Sequence, residues 1–413
     1  MSAENIQLNE MTESVGFMDK VAKKLIISLL SKITNASLIF EENGEQFKLG
    51  NAESDLHGKI IIHHASCYKK MLLGGSIGAG EAYMAGLWSS PDVTKVVQVL
   101  AREQAILDDL EKRFARFVAI PSWIYHKARK NTEAGSKKNI LAHYDLGNDM
   151  YEQFLDKEMM YSSAIYPHQD ADLEEAQLHK IDTICQRLDL KEGETLLEIG
   201  TGWGALAIHA AKKYGVQVTT TTISDAQHDY AKARIELLGL SEQITLLKQD
   251  YRTLTGEYDK LVSIEMIEAV GHEYLASFFA TCNKHLKPDG KMLIQSITIA
   301  DQRYDSYRKG VDFIQRYIFP GGCLPSIKVM ANSVATHTDM MITGLHDIGQ
   351  DYAKTLSHWH QRFDQALPQV RSLGYDDTFI RLWKFYFSYC EGAFLERKIS
   401  TVHLIAVKPD YRG

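Results

Sequence analysis

The sequence has few cysteines, and none of them forms a Cys-x-x-Cys pair. The chain of 413 residues contains five, at widely separated positions. Disulfide frameworks and structural zinc sites require cysteines in paired or closely spaced patterns. The composition therefore argues against a disulfide framework and against a zinc site, and it suits a reducing compartment; we predict no bound metal.

Long apolar runs and a positive charge balance are also missing. No stretch reaches the roughly 18 apolar residues that a membrane-spanning helix needs, and the polar, acidic N-terminus does not resemble a secretory signal. The formal net charge is −7, so bulk attraction to nucleic acid or anionic lipid is not expected. We predict a cytoplasmic protein with no nucleic-acid partner, in which any membrane contact uses local basic patches.

The chain is long enough for two or three domains. Residues 1–115 predict a small α+β domain, beginning with a helix over Phe17–Thr34 that carries several lysines. That helix either rests on a lipid surface or packs against a core with its lysines in water, and the pattern favours the second interpretation. Residues 116–140 predict a basic linker, for which contact with phosphate headgroups is the sharper alternative.

Residues 141–413 have a different pattern, in which short apolar strands alternate with helices from Thr195 onwards. This alternation predicts an α/β fold with a doubly wound, mainly parallel sheet. Residues 300–338 interrupt it with a helical insertion. We expect Ser400–Val407 to form a last strand, inserted antiparallel into the sheet.

A glycine turn follows the first strand of this region. Gly200, Gly202 and Gly204 come directly after Glu198 and Ile199. The spacing is Gly-x-Gly-x-Gly, which differs from the dinucleotide pattern Gly-x-Gly-x-x-Gly. Glu198 can accept hydrogen bonds from a ligand amine. The combination favours S-adenosylmethionine over a nicotinamide cofactor, although an ordinary tight strand–helix turn remains the alternative.

Polar side chains follow the next three strands, at the sheet edge where such folds bind ligands. After strand two, Thr222 and Gln227 can hydrogen-bond ribose hydroxyls, and Ile223 beside them is also a predicted cofactor-binding residue. After strand three, Asp250 can accept from an adenine amino group and Tyr251 can pack beside the base. After strand four, Glu265 and Glu268 place two carboxylates near the reacting centre, although Glu268 could simply cap a helix.

The chain resembles the cyclopropane-fatty-acyl-phospholipid synthases among the S-adenosylmethionine-dependent fatty-acid methyltransferases. The segments that carry the resemblance are His143-Tyr144-Asp145 through Asp149, Tyr161-Ser162, Gly200 through Gly204, Thr222 through Gln227, Gln249 through Arg252, Glu268 with Val270-Gly271, Tyr317 through Ser326, and Gly75 through Trp88. They cover nearly the whole chain, and the Tyr-Ile-Phe-Pro run with Leu-Pro-Ser is the specific part.

The resemblance implies a class I methyltransferase fold with a seven-stranded sheet and a helical lid at about 300–338 that binds the acyl chain. It implies that the substrates are unsaturated phospholipid acyl chains at the inner face of the membrane, and it allows a homodimer. It adds Tyr161, Ser162, Arg252 and Glu265 to the cofactor contacts, and Tyr317, Phe319 and Pro320 to the substrate contacts. Such enzymes methylate a double bond and then remove a proton with a bound bicarbonate ion, which closes a cyclopropane ring.

Carried over residue by residue, the resemblance places Glu268, Tyr352 and the backbone of Ile297 at the bicarbonate site. This chain departs from the family pattern at three positions: Ser163 stands where a cysteine is usual, Gln295 where a histidine is usual, and Ala269 where another histidine is usual. Serine and glutamine can still hydrogen-bond an anion, but glutamine does not titrate near neutral pH as histidine does.

Several interpretations remain open from the sequence. Cyclopropane formation is the family default, and a methyl- or methylene-branched acyl chain is the alternative if Ser163 and Gln295 change the final deprotonation. A small-molecule N- or O-methyltransferase and an inactive lipid-binding homologue are the other classes. Tyr352 could be a packed surface aromatic, and the run Trp383–Tyr389 favours a core position over an acyl pocket.

Overall fold

The computed structural model describes residues 16–104, 106 and 147–413. The predicted linker 116–140, the predicted domain boundaries on either side of it, and the motif His143-Tyr144-Asp145 lie outside these residues. Within the described residues, contacts separate the chain into two compact units. The first unit combines the N-terminal described residues with Asp312–Ile318 and Trp359–Lys398, and the second unit contains the rest.

The described residues form eleven strands and fourteen α-helices. The strands are β1 (Ser37–Glu42), β2 (Glu45–Gly50), β3 (His57–Ile62), β4 (Trp88–Ser89), β5 (Thr195–Ile199), β6 (Gln217–Thr222), β7 (Ile244–Lys248), β8 (Tyr258–Ile264), β9 (Leu286–Ile299), β10 (Met341–Asp347) and β11 (Ile399–Val407). The α-helices are α1 (Phe17–Leu30), α2 (Ser66–Met84), α3 (Val93–Arg102), α4 (Asn148–Tyr151), α5 (Leu173–Leu188), α6 (Ala205–Tyr214), α7 (Asp225–Leu237), α8 (Leu275–Lys284), α9 (Asp301–Tyr307), α10 (Phe313–Tyr317), α11 (Ile327–His337), α12 (Gly349–Gln365), α13 (Leu367–Ser372) and α14 (Asp377–Leu395).

The first unit contains a four-stranded sheet in the order β2-β1-β3-β4. Asn43 and Gly44 both have positive φ, as the tight hairpin turn between β1 and β2 requires. Helix α1 buries Ala22, Ile26 and Leu30, which agrees with the core-facing interpretation of its pattern.

Helix α14 packs against α2 and α3 within the same unit. The sequence pattern alone assigned α14 to the region of the larger sheet, whereas contacts place Trp359–Lys398 with the N-terminal residues. Trp383, Phe385 and Phe387 are buried, so the aromatic run forms core, as predicted.

The second unit contains a seven-stranded sheet in the order β10-β11-β9-β8-β5-β6-β7. The pairs β6–β7, β5–β6, β5–β8 and β8–β9 are parallel, and β11 runs antiparallel to both β9 and β10. This is the predicted doubly wound sheet with an inserted antiparallel strand. The segment between β9 and β10 is helical, as predicted.

Alternation along the strands divides the core of the second unit between the two faces of the sheet. Leu196 and Leu293 pack in a cluster with Ile184 of α5 and Leu206 of α6. The neighbouring strand residues point to the other face, where they meet α8 and α11. Successive strand residues face opposite sides of the sheet. The polar residues of β9 and β11 that share a face with Leu293 therefore lie on the side of α5.

None of the helices within the described residues is long and apolar enough to cross a membrane. All five cysteines are free. Within the same residues, no group of three His, Cys, Asp or Glu side chains is arranged to hold a metal ion.

Candidate active site

The glycine turn lies between β5 and α6, and its glycines serve different purposes. Gly200, Gly202 and Gly204 all have positive φ, at 102°, 54° and 91°. A Cβ atom on Gly204 would lie 3.2 Å from the Cβ of Ala231, so Gly204 allows α7 to pack closely. A Cβ on Gly202 would meet no atom within 4 Å, so this part of the turn is open to a ligand.

Glu198 lies beneath this turn and is almost fully buried. Its Oε2 accepts a hydrogen bond of 2.6 Å from the Thr220 hydroxyl of β6. Burial raises the pKa of Glu198 to about 8, against the opposing effects of Thr220 and Lys180. A nearby cationic ligand would favour the ionised carboxylate, which fits both the ammonium and the sulfonium of S-adenosylmethionine.

The loops after β6 and β7 are held mainly by their own side chains. Thr222 Oγ1 donates to Gln227 Oε1 at 3.1 Å, and Ile223 lies between them in the chain. Arg252 donates three hydrogen bonds to the Asp250 carboxylate: from its backbone N–H at 2.9 Å, from Nε at 2.8 Å and from Nη2 at 2.6 Å. The predicted contacts of these loops to ribose and adenine remain predictions.

In the loop after β7, neighbouring groups also determine the charge of the Asp250 carboxyl and the packing of the Tyr251 ring. Burial alone would raise the pKa of Asp250, but the Arg252 hydrogen bonds outweigh it and lower the pKa. The Tyr251 ring packs edge-on to Phe278 of α8, with 5.6 Å between centroids. The carboxylate is therefore ionised and the ring is fixed in place.

Two side chains of α5 hold the loop Tyr161-Ser162. Gln177 Nε2 donates to the Ser162 carbonyl at 2.9 Å, and Lys180 Nζ donates to the Ser162 hydroxyl at 2.8 Å. The Tyr161 ring lies between aromatic neighbours, with centroids 5.3 Å from Tyr151 and 6.1 Å from Phe319. The loop is thus fixed to the helix that covers the sheet.

Lys180 is a fully buried cation within this site. Burial lowers its pKa to about 8, and the nearby carboxylates of Glu265, Asp156 and Glu198 oppose that shift. Neither Lys180 nor Gln177 was among the predicted site residues. The available signal was two polar residues three positions apart on an otherwise apolar helix face, which places them side by side.

Glu265, directly after β8, receives three hydrogen bonds from distant parts of the chain. Its Oε1 accepts from the Ser163 backbone N–H at 2.9 Å and from Gln295 Nε2 at 2.8 Å. Its Oε2 accepts from the Tyr352 hydroxyl at 2.8 Å. The predicted residues Ser163, Gln295 and Tyr352 therefore do come together, and what they surround is a carboxylate of the protein.

A further pair of residues fixes the orientation of Gln295. Arg187 of α5 donates from Nη1 to His403 Nδ1 at 2.6 Å. Because arginine stays protonated and can only donate, His403 must accept at Nδ1 and carry its proton on Nε2. That N–H donates to Gln295 Oε1 at 2.9 Å, which leaves the Gln295 amide N–H groups for Glu265 and for the Ser163 carbonyl at 3.3 Å.

His403 and Gln295 are direct cross-strand neighbours, on β11 and β9. His403 is fully buried, and burial lowers its pKa well below the usual value, with Arg187 adding to the effect. His403 was not among the predicted site residues, because strand register is needed to bring it opposite Gln295.

Glu268, three residues after Glu265, is held differently. Its Oε1 accepts from the Ile297 backbone N–H at 2.5 Å and from the Ser296 hydroxyl at 3.0 Å. Its Oε2 is buried without a hydrogen-bond partner. Burial, followed by the charge of Glu265, raises the pKa of Glu268 to about 8. The unpartnered oxygen of Glu268 is thus a buried acceptor of the site that a ligand could satisfy.

The predicted substrate residues do not share one environment. Tyr317 belongs to the first unit, where its hydroxyl donates to Glu81 Oε1 at 2.5 Å. Phe319 and Pro320 belong to the second unit, where the Phe319 ring lies beside Tyr161. The role of all three in acyl binding remains a prediction.

Comparison with known proteins identifies the family. A family model described as mycolic acid cyclopropane synthetase matches residues 131–404. A tuberculostearic acid methyltransferase of Mycobacterium tuberculosis is 37% identical over 349 residues, which cover 81% of this chain and 80% of that protein. The cyclopropane-fatty-acyl-phospholipid synthase of Escherichia coli is 37% identical over 363 residues, covering 85% and 87%.

A solved structure supports the same assignment. The mycolic acid cyclopropane synthase CmaA1, in complex with SAH and CTAB, matches with a TM-score of 0.61 and 30% identity, covering 66% of this chain and 98% of that chain. The resemblance inferred from the motifs is thereby confirmed. The chain belongs to the mycolic acid cyclopropane synthetase family and is an S-adenosylmethionine-dependent methyltransferase.

Proposed function

We propose that this enzyme methylates the double bond of unsaturated fatty-acyl chains in membrane phospholipids, at the inner face of the membrane, and forms cyclopropane fatty acids. The Escherichia coli relative, which matches 85% of the chain, supports the substrate class. The single observation that carries the proposal is the pair of buried carboxylates after β8. An alkene acceptor has no acidic hydrogen of its own, so a base must remove a proton after methyl transfer.

S-adenosylmethionine, when bound, supplies the electrophilic methyl group. The open turn at Gly202 and the carboxylate of Glu198 form the binding site for it. Glu268 and Glu265 then stabilise positive charge on the acyl chain. Both residues are half-buried and the Glu268 Oε2 atom is fully buried, and charge stabilisation is strong where water is excluded.

Vesicles of a monounsaturated phospholipid, incubated with the enzyme and S-adenosylmethionine, test the proposal. Gas chromatography with mass spectrometry should show acyl chains that have gained one CH2. A parallel reaction with Glu268→Gln serves as the inactive control. If calorimetry shows that the cofactor binds but no acyl chain gains mass, the lipid substrate is wrong.

A methyl- or methylene-branched product is the second candidate. The observation that favours it is that Gln295, which stands in place of the usual histidine, donates its amide N–H to Glu265, while Ser163, in place of the usual cysteine, contributes only its backbone N–H. The relative described as a tuberculostearic acid methyltransferase supports it further. Mild hydrogenation separates the products, because a methylene group takes up hydrogen and a cyclopropane ring resists it.

We also propose that α1 contacts the membrane surface. Phe17 and Met18 are 78% and 58% exposed, and they lie on a helix with two exposed lysines, Lys20 and Lys24. Replacing both residues with serine should release the protein from anionic vesicles in a co-sedimentation assay. Leu237→Ser is the matched control, because Leu237 is 87% exposed on a different helix. Equal sedimentation of all variants would remove α1 from membrane binding.

A further inference from the structure

The family resemblance implies a bound bicarbonate ion, and the hydrogen bonds of this chain show whether the residues that would hold it are available. The resemblance places it among residues 163, 295 and 352, with Glu268 and Ile297 beside it. Here the groups at 163, 295 and 352 donate to Glu265, and the Ile297 N–H donates to Glu268. The donors that would hold the ion are therefore engaged by carboxylates of the chain itself.

A glutamate carboxylate and a bicarbonate ion present the same planar O–C–O acceptor group. A set of donors that suits one therefore suits the other. We infer that the Glu265 carboxylate takes the place of bicarbonate, so that this enzyme carries its base as a side chain and needs no bound anion. The inference rests on the proposed acyl substrate for the step that the base performs.

The backbone at Glu265 supports a dedicated position. Its φ is +48°, a left-handed conformation that disfavours residues with a Cβ. The Glu265 backbone N–H donates to the Gln295 carbonyl at 2.9 Å, and this hydrogen bond fixes the backbone at Glu265. Strained residues of this kind concentrate at functional sites, where surrounding contacts enforce them.

The surroundings of Glu265 also determine its charge state. Burial raises the pKa of its carboxyl, while hydrogen bonds from Ser163, Gln295 and Tyr352 and the charge of Lys180 act in the opposite direction. These four groups favour the ionised form, which is the form that accepts a proton. The raised pKa makes that ion a stronger base than an exposed glutamate.

The proposed step balances in atoms and charge. The methyl carbon bonds to one alkene carbon through the π electrons, the C–S bond breaks with its electrons on sulfur, and positive charge remains on the neighbouring acyl carbon. Glu265 then takes a proton from the methyl carbon. The electron pair of that C–H bond forms the last ring bond, and Glu265 becomes a neutral carboxylic acid.

Bicarbonate depletion and substitution of Glu265 test the inference together. In carbon-dioxide-free buffer, the rate of the wild-type enzyme should change by less than about twofold on adding bicarbonate. Glu265→Gly suits the positive φ and opens the site, so it should lose on the order of 100-fold in kcat and recover at least about tenfold with added bicarbonate or formate. Glu265→Gln should lose as much without recovering, because its amide fills the same space.

Carbon-13 NMR with labelled bicarbonate provides a readout that does not depend on turnover. The bicarbonate signal should broaden with Glu265→Gly and stay sharp with the wild type, and thermal unfolding should show that both variants are folded. Specific bicarbonate binding by the wild type, a strong bicarbonate requirement, or full kcat in Glu265→Gln would each overturn the inference. If the wild type modifies no acyl chain, the proposed function fails, while the NMR comparison still decides whether Glu265 occupies the anion position.

Discussion

The strand ends of β5 and β6 differ from those of β8 and β9 in how their polar groups are held. At β5 and β6 the contacts join neighbouring strands, as in the hydrogen bonds from Gly200 and Thr201 to the Thr221 carbonyl and from the Thr220 hydroxyl to the buried Glu198 carboxylate. At β8 and β9 two buried carboxylates are held by groups up to 102 positions away in the chain. The predicted cofactor turn is thus held by contacts between adjacent strands, whereas the carboxylates proposed for the chemistry after methyl transfer are held by contacts between distant segments.

The largest effect on turnover is expected at Glu268, shortly after β8, whose Oε2 is a buried acceptor without a partner. Glu268→Gln keeps the size of the side chain and can keep the hydrogen bond from Ile297, but it removes the carboxyl group that can ionise. We expect kcat to fall on the order of 100-fold or more, with the dissociation constant of S-adenosylmethionine changed less than about threefold. Equal turnover in the variant would exclude Glu268 from the mechanism.

The same substitution should affect stability in a pH-dependent way. Burial and the charge of Glu265 raise the pKa of Glu268 from 4.5 to about 8, so the folded state binds more protons than the unfolded state between these values. The free energy of unfolding therefore falls as pH rises through that range. Thermal unfolding of the wild type and of Glu268→Gln, followed from about pH 5 to about pH 9, should show a shallower decline for the variant.

A substitution in the glycine turn after β5 should lower the affinity for the cofactor. Gly202→Val places a β-branched side chain at positive φ in the open part of the turn, and we expect affinity for S-adenosylmethionine to fall by at least about tenfold. Gly239→Val is a matched control, since Gly239 also has positive φ with no atom near its Cβ. Calorimetry should show a loss for the first variant and little change for the second, whereas equal losses would indicate a general effect of strain.

A smaller loss of kcat is expected when His403, one of the two residues that orient Gln295, is replaced. His403→Leu removes the donor to Gln295 Oε1 and leaves Arg187 without its acceptor, so the Gln295 amide can turn its oxygen toward Glu265. We expect kcat to fall roughly tenfold, as for modest misplacement of reacting groups. His403→Gln can accept from Arg187 and donate to Gln295, so it should restore most of the rate.

Nitrogen-15 NMR of the His403 ring distinguishes orientation from general stability. In the wild type, Nε2 should carry the proton and Nδ1 should not. A proton on Nδ1, or equal kcat for His403→Leu and His403→Gln in folded protein, would contradict this role.

The smallest effect concerns the pH dependence of cofactor binding. Burial raises the pKa of Glu198 to about 8, so the carboxyl is largely protonated at neutral pH, and a cationic ligand favours its ionised form. Affinity for S-adenosylmethionine should therefore rise a few-fold as pH approaches about 8, with release of protons on binding. Calorimetry in two buffers of different ionisation enthalpy measures that release, and Glu198→Gln should abolish it.

Much of the fold could be predicted from the sequence, because its signals are local. Strand–helix alternation after Thr195, the hairpin at Asn43-Gly44 and the glycine turn depend on residues close together in the chain. The grouping of Trp359–Lys398 with the N-terminal residues could not be predicted in this way. An amphipathic helix shows that it has a buried face, but its sequence does not identify the partner of that face.

Residue order alone indicated the family, the cofactor loop and the positions 163, 268, 295 and 352 of the reacting site. The three-dimensional arrangement was needed to show that three of these positions surround Glu265, and that His403 and Arg187 orient Gln295. The physical reason is that hydrogen-bond direction depends on strand register and on groups from distant segments meeting at one sheet edge. Residue type limits which groups can donate or accept, and the fold decides which of them meet.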